Sequence, residues 1–302
     1  MRKLAYLSWL ALIVVAVGGD MTPFGAAAAQ SVTLTHVHGL AFSPTGGHLL
    51  VPSHHGLAVY GDGHWSKAPG PEHDYMGFSV TKSFLFSSGH PVPGSGLINP
   101  FGLIRSSDGG RTWDKLGLEG ESDFHVLAAG YQTNAVYVFN PQRNSRMPDP
   151  GLYYTLNNGF TWQRAKAQGL AGKIIALAVH PTDPKAVAAA TDRGVYLSKD
   201  SGATFVAVAA DGQGLAVCFD LDGKRLWYSS FAGQPRLAHV DLTARKNASV
   251  PLPALSKDAV AYIAQNPKRP GEYAIATFER NVYLSRDGGK TWTQIADRGR
   301  GL

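Results

Sequence analysis

The chain has 302 residues, a formal net charge of +6, 44% hydrophobic residues and only 17% charged ones. This balance excludes a disordered chain, and the one cysteine, Cys218, excludes an internal disulfide framework and a cysteine-built zinc site. Gly (35) and Pro (18) beside 10% aromatics lean toward many short strands and tight turns, and eleven histidines are the unusual count.

Arg2 and Lys3 precede an apolar run from Leu4 to Val17, and the small-residue stretch Gly25-Ala26-Ala27-Ala28-Ala29-Gln30 follows. Charged start, short apolar middle and A-x-A end are the three parts of a secretory signal peptide. Residues 1–29 are therefore expected to be removed after Ala29, leaving 30–302 as an exported protein, periplasmic or secreted. An uncleaved anchor is the competing reading, but the run is shorter than the roughly 20 residues that span a bilayer comfortably. No later run is long enough to cross, so no membrane span is expected in the mature protein. Its Lys and Arg residues are scattered, and no basic run argues for nucleic acid.

A pattern Ser/Thr-x-Asp/Asn-x-Gly-x-Thr-Trp/Phe then recurs. It reads Ser106, Asp108, Gly110, Thr112, Trp113, and again Thr155, Asn157, Gly159, Thr161, Trp162. It returns as Ser198, Asp200, Gly202, Thr204, Phe205, and finally as Ser285, Asp287, Gly289, Thr291, Trp292. The steps are 49, 43 and 87 residues, so one copy near residue 241 has lost the pattern. The run Val59–Trp65 fits a shortened first copy. Between the boxes each unit reads as four short strands. In the fourth these are Lys173–Val179, Ala186–Ala190, Val195–Ser198 and Thr204–Val208, separated by turns rich in Pro, Asp and Gly. Four strands repeated every 43–49 residues describe propeller blades. The expected fold is all-β: a six-bladed β-propeller of four-stranded antiparallel blades.

The repeated motif resembles the Asp-box, or BNR, repeat of the sialidase-like propellers, and the likeness covers essentially the whole mature chain. The sequence is also similar to a bacterial exported family, glycosyl-hydrolase-like by name, with His36-Val37-His38-Gly39-Leu40 near its mature start. The resemblance implies the fold. Its members include sialidases, other glycoside hydrolases, the sortilin ectodomain and a photosystem II assembly factor, so it implies no single activity. The boxes read as turn chemistry, with Asp or Asn accepting backbone N–H groups and Gly supplying a positive φ.

Blade geometry sorts the histidines. Starts of first strands, ends of second strands and starts of third strands share one face, here the top. His36, His38, His54, His55, His73, His90 and His125 all fall there, and all in blades one to three. Corresponding positions in blades four to six carry Lys173, Asp192, Arg193, Asp258, Glu279 and Arg280. Imidazole is the commonest protein ligand for Zn, Cu, Ni and Fe, so these seven are candidate ligands for copper or zinc. Met76 and Met147 lie near enough in sequence to keep copper(I) open. Against this, the same histidines would suit a wet channel bonded to backbone carbonyls. Asp74 and Asp123 are candidate ligands or partners that fix an imidazole tautomer. Two long loops, 91–102 and 141–151, rise on this face. With Tyr75, Arg143 and Arg146 they border the expected site for a small ligand, glycan or protein.

Three functions follow. The first is an exported protein that binds a metal ion, small ligand or partner at the histidine-rich face. The second is a sialidase-like glycoside hydrolase, which needs an Arg cluster, an Asp acid/base and a Tyr–Glu pair. The Arg-Ile-Pro motif usual before the first box is absent, and no spacing singles out an Arg triad. The third is a periplasmic assembly or scaffold role.

Overall fold

The computed structural model describes residues 32–210 and 212–302. The expected signal peptide lies outside the described residues. All regular structure among those described is β. Blade one holds β1 (Ala41–Phe42), β2 (Leu49–Ser53), β3 (Gly56–Gly61) and β4 (His64–Lys67). Blade two holds β5 (Asp74–Val80), β6 (Leu85–His90), β7 (Leu103–Ser106) and β8 (Asp114–Gly117). Blade three holds β9 (Leu127–Ala129), β10 (Val136–Asn140), β11 (Gly151–Thr155) and β12 (Gln163–Arg164). Blade four holds β13 (Ile174–Val179), β14 (Val187–Thr191), β15 (Gly194–Ser198) and β16 (Val206–Ala209). Blade five holds β17 (Gln213–Phe219), β18 (Arg225–Phe231), β19 (Pro235–Asp241) and β20 (Lys246–Val250). Blade six holds β21 (Val260–Gln265), β22 (Tyr273–Thr277), β23 (Val282–Ser285), β24 (Thr293–Asp297) and a fifth strand, β25 (Arg300–Gly301). Every sheet is an antiparallel meander in chain order.

Burial explains the sequence pattern. Second strands such as Leu49–Ser53, Val187–Thr191 and Tyr273–Thr277 are buried along their whole length. They are covered by a neighbouring blade on each face, so they read as continuous apolar runs rather than alternating ones. Outer strands such as Lys246–Val250 face solvent and are polar. Six apolar clusters hold the ring, one at each junction between successive blades, and the cluster joining blades six and one closes it. Close approach is built in: a Cβ on Gly77 of β5 would sit 2.1 Å from the Phe124 carbonyl oxygen of the next blade.

The boxes are turns. In blade four Ser198 Oγ accepts from Gly202 N (2.9 Å) and donates to Asp200 Oδ1 (2.8 Å). Asp200 in turn accepts from Thr204 N (2.9 Å) and Thr204 Oγ1 (2.6 Å). Gly202 has φ +77° and packs where a Cβ would meet Ala165 of blade three, so the residue type is forced twice. Ser106, Thr155 and Ser285 head the same network. In blade five Asp241 accepts from Thr243 N and Ala244 N instead, a shorter turn with no box.

The ends of the fold meet. Thr33 bridges Arg300 of β25, and Leu34 N donates to Gly299 O (2.7 Å). Trp65 Nε1 in blade one donates to Ile295 O in blade six (2.6 Å). The inner strands enclose an axial channel of about 220 Å³. Among the described residues no helix is long and apolar enough to cross a membrane.

Candidate functional site

The site lies at one mouth of this channel, opposite the boxes. His36 and His38 precede β1; regular strand begins only at Ala41, but His38 N still donates to Pro52 O (3.1 Å) and continues the ladder. Alternation puts both imidazoles on one side, with ring centroids 5.8 Å apart and planes at 19°. His54, in the turn after β2, reaches the same spot: its ring lies 4.3 Å from that of His36 and 4.8 Å from that of His38. One ring nitrogen from each of the three falls within 4.8 Å of the others.

Asp74, the first residue of β5, stands behind them. Its Oδ2 is 3.0 Å from His54 Nδ1 and its Oδ1 is 3.8 Å from His38 Nε2. The His54 tautomer with its proton on Nδ1, facing this carboxylate, leaves a lone pair on Nε2. His54 Nε2, His38 Nε2 and Asp74 Oδ1 are all buried without a hydrogen-bond partner. Burial pushes the His38 pKa down to about 4; Asp74 opposes this, while His54, His36 and His125 add to it. His38 is therefore neutral near pH 7, with its lone pair free.

A second group adjoins the first. Asp123 Oδ2 is 2.6 Å from His125 Nε2 and 3.1 Å from His90 Nε2. His90 Nδ1 meets Asn99 Oδ1 (2.7 Å), a residue of the 91–102 loop that no sequence signal marked. The hydrogen bond to Asp123 raises the His125 pKa above its ordinary value.

Not every expected residue turns inward. His55 shares the turn between β2 and β3 with His54 but diverges from it; it is exposed, in a crevice beside Glu72. His73 precedes Asp74 and likewise faces away. It is buried against Phe101 (4.9 Å between ring centroids) and its Nδ1 accepts from Val92 N (3.0 Å). Tyr75 shares that side, buried against Trp113, and donates to Pro71 O (3.1 Å). Arg143 donates to Pro148 O within its own loop (3.2 Å). Arg146 is drawn to the carbonyls of Leu116 and Gly159 between the outer strands of blades two and three. None of these five joins the three-histidine group. Met76 and Met147 are buried packing residues, and Cys218 lies on the channel wall within the blade-five core.

Comparison with known proteins agrees with the fold. The BNR/Asp-box repeat matches residues 283–294, the box of blade six. The chain is a six-bladed β-propeller that carries this repeat. Beyond the repeat, a probable oligoxyloglucan-reducing end-specific xyloglucanase of Neosartorya fischeri is 25% identical over 211 residues. That covers 65% of this propeller but only 24% of the xyloglucanase. A GH74 enzyme from Niastella koreensis superposes with a TM-score of 0.58 at 15% identity, over 88% of this chain and 46% of the enzyme. The GH74 xyloglucanase from Xanthomonas campestris gives 0.55 at 17% identity, with the same two coverages. YCF48 bound to D1 peptide gives 0.51 at 18% identity, over 88% of this chain and 84% of YCF48. At these identities the structural likeness is one of fold. The BNR-repeat propeller spans less than half of both GH74 enzymes and about a quarter of the curated xyloglucanase.

Proposed function

We propose that this propeller is an exported protein that binds a divalent first-row metal ion, copper or zinc, through His36, His38 and His54. The observation that carries the reading is three converging imidazole nitrogens, two of them buried without a partner, backed by a carboxylate on His54. A carboxylate–imidazole–metal relay is the usual second layer of such sites. Tetrahedral bonds of roughly 2.0–2.1 Å set donors about 3.3 Å apart. Closing from 4.8 Å asks for up to about 1.5 Å of ring movement, to which exposed His36 can contribute. The donors are nitrogen alone, since both candidate methionines and the cysteine point elsewhere. That favours copper(II) or zinc over copper(I). An open position remains toward the channel mouth for a small ligand.

Metal content and calorimetric titration with zinc and copper(II) test this. The full chain should bind one equivalent, and His38→Ala and His54→Ala should each lose most of the affinity. Equal, negligible binding by all three refutes the reading.

A second reading is glycan hydrolysis. The likeness to xyloglucanases favours it, together with two carboxylates, Asp74 and Asp123, at one channel mouth. Release of reducing ends from xyloglucan oligosaccharides, lost in Asp74→Asn and Asp123→Asn, would support it. No release would refute it.

A further inference from the structure

The metal reading leaves Asp258 and Arg280 without a role, although both stand on the histidine-rich face. Arg280 lies in the turn between β22 and β23 with φ +63°, a left-handed conformation uncommon for any residue but glycine. The turn is braced for it. Arg280 N donates to Thr277 O (3.0 Å), and Asn281 N donates to Thr277 Oγ1 (3.0 Å). Asp258, buried just before β21, accepts from Glu279 N (3.1 Å) and Asn281 Nδ2 (3.0 Å).

The guanidinium so presented crosses the closing junction of the ring. Its Nη1 donates to Thr35 O (3.2 Å), the carbonyl of the residue before His36. The backbone of Arg280 serves the same strap: its O accepts from Gly299 N (2.9 Å), and Gly299 O accepts from Leu34 N (2.7 Å). Gly299 leaves room for both, since a Cβ there would lie 2.3 Å from Leu34 O and 3.5 Å from Arg280 Nε. Residues 33–35 are thus held to blade six, whereas His38 and His54 are held within blade one. His36 is exposed, and among the described residues its ring meets those of His38 and His54 without a hydrogen bond of its own. The ring can turn, but the backbone it turns about is set at Thr35.

We propose that Arg280 is the positioning residue for His36, so that metal binding and closure of the ring between blades six and one are one coupled equilibrium. The proposal rests on the metal reading. His38 and His54 come from blade one and His36 from a strap that blade six holds, so an ion on all three ties the strap down. The effect is reciprocal: the ion tightens the strap by the factor by which a loosened strap weakens the ion. Charge alone predicts the opposite sign. A guanidinium repels a dication, so its removal would strengthen binding if charge were all it supplied.

The test is calorimetric titration of the full chain with zinc in the wild type, Arg280→Met, Arg280→Lys, His36→Ala and the double variant Arg280→Met/His36→Ala. Arg280→Met should lose about tenfold in affinity. Arg280→Lys, whose ammonium can still donate to Thr35 O, should recover most of it. In the His36→Ala background the Arg280→Met change should cost nothing, because Arg280 acts only through that ring. With copper(II), electron paramagnetic resonance should show one coupled nitrogen fewer in Arg280→Met than in the wild type. In the wild type, which needs no variant to fold, zinc should slow hydrogen exchange at Leu34 N. Unchanged or tighter zinc binding in Arg280→Met, an equal loss with and without His36, or exchange at Leu34 that ignores zinc overturns the proposal and leaves the three-histidine site standing. A wild-type chain that binds neither metal sinks the metal reading and the proposal with it.

Discussion

Replacing Asp74 by Asn isolates the carboxylate behind the histidines. The side chain keeps its size, and at 20% exposure its amide is tolerated. It loses the charge that stands 3.0 Å from His54 Nδ1 and 3.8 Å from His38 Nε2. Outer carboxylates of metal-bound imidazoles change affinity by about 10–100-fold, or roughly 1.4–2.8 kcal/mol. Asp74→Asn should therefore weaken zinc binding by about 10–100-fold. Competition with a chromophoric chelator at pH 7 measures it. Affinities within twofold of one another would mean that Asp74 neither orients His54 nor feels the ion, and the assignment of ligands would fall.

Trp65→Phe keeps the ring but orphans the Ile295 carbonyl across the closing junction. It should cost about 1–3 kcal/mol, read as a melting temperature lower by about 2–4 °C per kcal/mol. The carboxyls of Asp108, Asp200 and Asp287 are held near 2 by the threonine hydroxyl and backbone N–H of each box. Their stabilisation is complete above the ordinary value of 3.8 and is lost as pH falls toward 2. Melts between pH 5 and 2 should flatten in Asp200→Asn, the residue type that blade three already carries at Asn157. By NMR His38 should titrate near 4, and His125 above its ordinary 6.5. Fold stability from His38 then declines as pH falls from 6.5 toward 4. That from His125 is present below 6.5 and fades as pH rises through its folded value. Asp123→Asn should return His125 to or below 6.5.

The blades were legible because a box is a local device. Ser, Asp, Gly and Thr at fixed spacing are demanded by hydrogen bonds within seven residues, and no tertiary context is needed to read them. The ring was legible from the count of units, though not its closure, because nothing local marks Val32–Leu34 or Arg300–Gly301 as partners. The site was half legible. Position at strand ends brought the right histidines to one mouth. What failed was phase: His73, Asp74 and Tyr75 are adjacent on extended chain and face alternate ways, while His54 and His55 form the turn between β2 and β3 and diverge there. Alternation divides the first group, but only packing decides which member looks toward the axis. Arg143 and Arg146 were lost for another reason. Their loop turns back on itself and on the neighbouring blade, satisfying each guanidinium with carbonyl groups that no spacing reveals.

The pairing of Thr33 with Arg300 also gives the molecule a direction in time. Trp65 must wait for Ile295, 230 positions later, before its indole finds an acceptor. Until the final residues are made, the first segment has no sheet to join and blade six keeps an open edge, the kind of surface that pairs with other chains. Late contacts of this span slow folding. Chains cut short before β25 should accordingly aggregate through the exposed edge of blade six.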